Sequence, residues 1–176
     1  MNARSALALA VEPPEQALAE DFKRAMRRLT STVSIIATGV DGARSGMVAT
    51  AVSSLCTEPP SLLICINRTA SLYQPLLANQ RFSVNLLDAT QSRLVGIFAG
   101  QLKGSARFEH GDWEACDDLP YLSDAQATLF CSVDAQLSYA THEVIVGRVE
   151  KSRVNERISP LLWQDGKPAQ SCELIH

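Results

Sequence analysis

Gly46-Met47-Val48-Ala49-Thr50-Ala51-Val52-Ser53-Ser54-Leu55 decides how this chain is read. An ordinary strand carries bulk at alternate positions, and here alanine and hydroxyl side chains stand instead. Such a segment lets a flat ligand lie against the backbone, where amide groups can hydrogen-bond ring oxygens and nitrogens. The residues alone also fit a serine-rich edge strand, so the flanking sequence has to choose.

Upstream, residues 15–29 predict an amphipathic helix, with Leu18, Phe22, Ala25, Met26 and Leu29 on one face and Lys23, Arg24, Arg27 and Arg28 on the other. Ser31 to Thr38 is rich in β-branched residues and reads as a strand. Gly39-Val40-Asp41-Gly42 supplies turn chemistry, and Ser45 to Leu55 reads as one second strand completing a hairpin. Ser61 to Asn67 is nearly continuous in apolar residues and predicts a buried strand. A short helix over 71–78 follows, then a strand over 81–87. Asp88 or Thr90 caps a helix ending near Phe98 or Ala99, with Gly100 closing it. Residues 105–109 read as a brief strand and 110–124 as a loop. Residues 128–138 and 142–151 read as long strands, and 159–170 as irregular with a turn at Asp165-Gly166. Six or seven strands with three short helices predict a mainly β, barrel-like fold, not a doubly wound parallel sheet.

A chain of 176 residues, 46% hydrophobic and 20% charged, is expected to form one domain with a real core. A net charge of -3 gives no electrostatic footprint for nucleic acid. No apolar run approaches the ~20 residues that span a bilayer. Ser5 to Val11 is apolar behind Arg4, but Glu12-Pro13-Pro14-Glu15 follows at once. Residues 1–14 are therefore expected to be a flexible tail and not a secretory signal, with residues 15–176 as the single domain of a cytoplasmic protein. Five cysteines without a CxxC pair argue against a disulfide framework or a zinc site, and Cys65 and Cys131 read as buried small hydrophobes. His110, His142 and His176 have no metal-ligand spacing, and GxGxxG, GxxxxGK[ST] and GxSxG are all missing. A nucleotide-like ligand would have to be held by a barrel surface and its loops.

Taken in order, several segments resemble one known family. Phe22 and Met26 on a helix precede Thr32-Val33-Ser34-Ile35-Ile36, the 46–54 segment and Glu58-Pro59-Pro60-Ser61-Leu62-Leu63-Ile64-Cys65-Ile66. Phe82-Ser83-Val84-Asn85-Leu86-Leu87, Phe98-Ala99-Gly100 and Thr141-His142 follow. This order resembles the short-chain flavin reductases, including the reductase components of two-component flavin monooxygenases, over roughly residues 20–165. The resemblance implies an FMN-binding split β-barrel (Greek-key-like) with a few short helices, working as a homodimer with flavin near the interface. It implies hydride transfer from NADH or NADPH to FMN or FAD, with reduced flavin passed to a partner monooxygenase. Reduction of another acceptor through tightly held FMN, such as corrin cobalt or a ferric complex, is the alternative enzyme. A non-enzymatic flavin-binding module is the alternative outside catalysis.

On this resemblance, Met47, Thr50, Ala51, Val52, Ser53 and Ser54 are expected to line the flavin ring. Asn67, Arg68 and Ser71 start a short helix and suit a phosphate or ribityl chain. Asn85 belongs to the same set, as do Phe98, Ala99 and Gly100, with Lys103 or Arg107 nearby to neutralise phosphate. His142 is expected beside the flavin, placing the nicotinamide. Family members often carry Gly-Asp-His there, and this chain has Ala140-Thr141-His142, which leaves the imidazole without an acid to fix its tautomer. Hydride transfer needs orientation more than side-chain chemistry, so no general acid or base is nominated.

Overall fold

The computed structural model describes residues 15–40 and 42–173. The tail reading for residues 1–14, Asp41 of the first turn, and His176 lie outside them. Helix α1 (Glu15–Met26) is followed by β1 (Ser31–Thr32), β2 (Ser34–Val40), β3 (Ala43–Ala49), β4 (Val52–Thr57) and β5 (Pro60–Asn67). Then come α2 (Tyr73–Asn79), β6 (Arg81–Leu86), α3 (Arg93–Gly96), β7 (Trp113–Cys116) and β8 (Leu119–Leu122). Two long strands, β9 (Ala127–Tyr139) and β10 (His142–Val154), precede the short pair β11 (Leu161–Gln164) and β12 (Lys167–Gln170).

One seven-stranded antiparallel sheet, ordered β3-β2-β6-β9-β10-β5-β4, forms the body. Strands β3 and β4 stand at its opposite edges, yet only Thr50 and Ala51 separate them in sequence. Laid flat at about 4.8 Å per strand, those edges would be nearly 30 Å apart. The chain from Ala49 to Val52 reaches about 11 Å at most. The sheet therefore rolls until its edges approach, leaving a seam between β3 and β4. The core agrees: Ile36 of β2, Ile64 and Ile66 of β5, Phe82 and Val84 of β6, Cys131 of β9 and Ile145 of β10 converge in one buried cluster with Leu72 and Leu76. A second cluster covers the outer face, where Ile35 and Ala37 meet Leu94, Phe98, Phe108, Leu122 and Leu161. Strand β2 sends alternate residues into both clusters, which is why it reads as unbroken hydrophobe.

Several expectations are corrected. The stretch 45–55 is two strands broken at Thr50-Ala51, not one. The helix expected over 15–29 ends at Met26. Residues 105–109 form a 3₁₀ turn within Gly104–Glu109, not a strand. The loop expected over 110–124 holds the β7–β8 hairpin, whose turn residues Asp117 and Asp118 take φ of 49° and 66°. Two successive residues at positive φ make the tight turn that matches strand twist, here without the Asn-Gly signature that would announce it. Residues 159–170 are likewise a hairpin, β11–β12, turning at the expected Asp165-Gly166. The single helix expected after residue 88 is three pieces: a 3₁₀ turn capped by Asp88, α3, and a π-turn over Ile97–Gln101 that ends around Gly100 at φ 124°. The strand count is twelve among the described residues.

Candidate active site

The break at Thr50-Ala51 turns the backbone from one edge of the sheet to the other. Both residues are exposed. The Cys65 amide donates to the Ala51 carbonyl at 3.1 Å, in register with the Val52–Ile64 and Ser53–Leu63 pairs. Antiparallel alternation then directs the Val52 and Ser54 amides away from β5, toward the unpaired edge of β4. This is a short row of free donors beside small side chains.

Two arms leave that corner. Along β3 the chain runs back through Met47 to Gly46 and Ser45; along β5 it runs from Cys65 to Asn67. The turn over residues 68–71 joins them again, with the Ser45 hydroxyl donating to the Ser71 carbonyl at 3.4 Å. A backbone frame results, about 17 Å long on its β3 side. Gly46 is fixed by what lies behind it: a Cβ there would meet the Phe98 ring at 3.0 Å and the Phe108 ring at 3.1 Å.

His142 begins β10 opposite Asn67 of β5, so the register sets the two side by side. The Arg68 amide donates to the Thr141 carbonyl at 3.0 Å, and its guanidinium donates to the Ala140 carbonyl. Ala140 sits at φ 47°, so Arg68 braces a turn with a left-handed residue at its tip. The Asn67 Oδ1 accepts from the Thr69 amide at 2.9 Å and hydroxyl at 2.8 Å, which shapes the start of the 68–71 turn. Thr141 Oγ1 lies 2.9 Å from His142 Nδ1. The imidazole's neighbour is therefore a threonine hydroxyl, which can donate to or accept from Nδ1. Behind it, buried Glu143 accepts from Ser138 at 2.6 Å and Tyr73 at 3.4 Å, a pairing that spacing alone does not announce.

Other expected site residues separate into groups. Ser53 and Ser54 line a cavity of about 680 Å³ with Ser31, Thr32 and Ser34. The fully buried Ser34 Oγ there has no hydrogen-bond partner. Thr50 and Ala51 line a neighbouring depression with Phe22 and Met26 of α1 and with Trp163. Ser71 lies across the frame against Arg107. Ala99, Gly100 and Lys103 are exposed on the turn that flanks Gly46. Met47 and Val52 are half-buried and pack their side chains against the inner core, and Val52 also lines the cavity of Ser53 and Ser54.

Asn85 and Phe98 are corrections. Asn85 is fully buried, and its amide bonds the Ile35 carbonyl, Ser83 hydroxyl, Leu122 amide and Thr128 hydroxyl, leaving nothing to offer. Phe98 is 2% exposed and packs its ring 5.4 Å from those of Phe108 and Trp113. Both hold the fold that presents the site.

A family model described as flavin reductase like domain matches residues 26–171. The chain belongs to that family. Among its curated relatives is the reductase component of the FADH(2)-dependent resorcinol hydroxylase of Rhizobium sp., 38% identical over 161 residues, or 89% of this chain and 88% of the relative. An FMN reductase (NADH) of Pseudomonas syringae is 39% identical over 143 residues, covering 81% of this chain and 80% of the relative. Among solved structures, flavin reductase PheA2 superposes with a TM-score of 0.80 at 30% identity, over 88% of this chain and 98% of that one. A flavin reductase domain protein from Arthrobacter sp. gives 0.82 at 28% identity, over 90% and 98%. This mainly β chain thus shares the fold of the flavin reductases it matches, and a rolled sheet with an open β3–β4 seam is the form it takes here.

Proposed function

We propose that this protein is an NAD(P)H:flavin oxidoreductase that reduces FMN or FAD with NADH and supplies reduced flavin to a partner monooxygenase. The observation that carries the reading is the free backbone edge at Thr50–Ser54 in a flavin reductase-like chain, one register step from the Asn67–His142 corner. When bound, the flavin supplies the hydride acceptor. The residues of this chain do the rest. The outward amides of Val52 and Ser54 donate to the polar rim of a flat ring, and the small side chains of Ala51, Ser53 and Ser54 leave room for it. The buried, unpartnered Ser34 hydroxyl supports the fit, since such a group costs free energy until a ligand or water satisfies it. His142, braced through Thr141 and Arg68, orients the nicotinamide against the ring; closeness and alignment are what hydride transfer requires.

The same reading makes the protein a homodimer. Leu18, Phe22, Met26 and Leu29 of the α1 segment are 59%, 62%, 44% and 59% exposed, an apolar stripe that a soluble monomer rarely leaves open. Phe22 and Met26 line the depression that ends at Thr50 and Ala51, so a second copy laid over α1 also walls the flavin site. No helix among the described residues is long and apolar enough to cross a membrane. A cytoplasmic location, where NADH is supplied, fits this chemistry. The test is anaerobic oxidation of NADH and NADPH with FMN, FAD and riboflavin. Oxidation matched mole for mole by flavin bleaching is expected, and no oxidation with any of the three would overturn the reading.

A further inference from the structure

Ile145 of β10 pairs with Ile64 of β5, and both are fully buried. One pair along on the same face, Glu143 stands opposite the fully buried Ile66 and is itself only 3% exposed. An acid in an apolar row is costly unless its oxygens are hydrogen-bonded, and a position that only had to fill space would take another hydrophobe. The ion pairs among the described residues join Lys23 to Glu20, Arg24 to Asp21 and Arg148 to Asp134, and none reaches Glu143. Glu143 holds two hydroxyls instead. Ser138, its cross-strand partner on β9, donates to Oε2 at 2.6 Å, and Tyr73 donates to the same oxygen at 3.4 Å. These donors come from the two sides of the Asn67–His142 corner. Ser138 leads into the β9–β10 turn, where Ala140 sits at φ 47°, a left-handed conformation in which a Cβ is strained. Tyr73 opens α2, and its amide donates to the Ala70 carbonyl at 3.0 Å, so it ends the 68–71 turn. Arg68 ties the same two turns through the Thr141 and Ala140 carbonyls. Glu143 ties them again from beneath the sheet, while His142, next to it in β10, is exposed on the opposite face.

We propose that Glu143 is a positioning residue for His142: its carboxyl group locks Ser138 to Tyr73 and so fixes the turn from which the imidazole projects. The inference rests on the flavin reading above and deepens it. Glu143 touches neither flavin nor nicotinamide and acts through His142. A turn tipped by a strained alanine has a reason to need such a clamp, since without it the backbone at Ala140 is free to relax and carry the imidazole with it.

The experiment is a double-mutant cycle on the anaerobic reduction of flavin by saturating NADH, followed by stopped flow. Glu143→Leu fills the apolar row and removes the acceptor. It is expected to slow reduction about ten-fold when His142 is present, and to change the rate by less than about two-fold once His142 is already alanine. Flavin affinity is expected to stay at the wild-type value in each variant. Glu143→Gln keeps an oxygen for both hydroxyls and is expected to recover most of the lost rate. If Glu143→Leu fails to fold, Ser138→Ala and Tyr73→Phe each remove one donor and carry the same cycle with a smaller loss. A second readout needs no flavin. The His142 imidazole proton resonance, identified by its absence from His142→Ala, is expected to shift in Glu143→Leu while that of His110 stays in place. Reduction at the wild-type rate in Glu143→Leu would overturn the proposal, as would an equal loss with and without His142 or an unmoved His142 resonance. A wild type that reduces no flavin with either nicotinamide would sink the flavin reading and leave the imidazole resonance to decide the role of Glu143.

Discussion

Thr141 stands where the resemblance implied an acid before the histidine, and a hydroxyl 2.9 Å from Nδ1 orients the His142 ring without adding charge. His142→Ala should therefore slow reduction of flavin by NADH about ten-fold, roughly 1.4 kcal/mol of transition-state stabilisation, and leave flavin affinity nearly unchanged. Stopped-flow reduction at the wild-type rate would return His142 to the status of a surface residue. Cys131 makes a second residue-scale test. Burial, reinforced by the negative charge of Glu150, pushes its thiol from 9.0 up to about 12. The folded state thus holds that proton more tightly than the unfolded chain. Its contribution to stability is full below pH 9 and is lost as pH rises through 12. Alkaline melts should show stability falling across that window, and Cys131→Ala should flatten the fall; identical slopes would refute the assignment. At this scale the sequence singled out His142 and the 50–54 backbone as candidates, and the structure leaves His142, Thr50, Ala51, Ser53 and Ser54 exposed. The sequence misled at Asn85 and Phe98, because a motif position does not tell which way a strand or a helical turn faces.

Elements were legible in proportion to their periodicity. Strands β2, β5, β6, β9 and β10 sit close to their expected bounds because β-branched and apolar runs mark them. The β7–β8 hairpin was hidden by Gly111, Asp112, Asp117, Asp118 and Pro120, which read as loop although two of those aspartates build the turn. The break at Thr50-Ala51 was invisible too, since Ala and Thr suit a strand and only the closure of the sheet demands a corner there. Helix α1 was readable as amphipathic, but not the fact that its apolar residues Leu18, Phe22 and Met26 stay exposed. On the homodimer proposed above, Phe22→Asp should convert dimers to monomers. Replacing a buried aromatic anchor costs about 3 kcal/mol, roughly a hundred-fold in the dimer dissociation constant. Light scattering across a dilution series checks this, and an unchanged dimer would remove α1 from the interface.

For the molecule as a whole, the mainly β class followed from the number and spacing of strands, and the approach of the two sheet edges followed only from strand order. A ligand that binds the folded state alone should stabilise it by about 2.7 kcal/mol at a hundred times its dissociation constant, raising the melting temperature by roughly 5–10 °C for a chain this size. FMN that leaves the melt unmoved at such a concentration would contradict the site. Strand order has one further consequence, for the time course of folding. Residues 43–57 carry both edges of the main sheet, but β9 and β10, drawn from 127–154, must be inserted before the sheet between those edges is complete. During synthesis the two-residue corner exists long before the strands that close the circle around it. Contacts so distant in sequence form slowly. On the flavin site proposed above, the groove at Thr50–Ser54 is thus among the last features to mature, and a nascent chain that has yet to release β10 has no place to receive the ring.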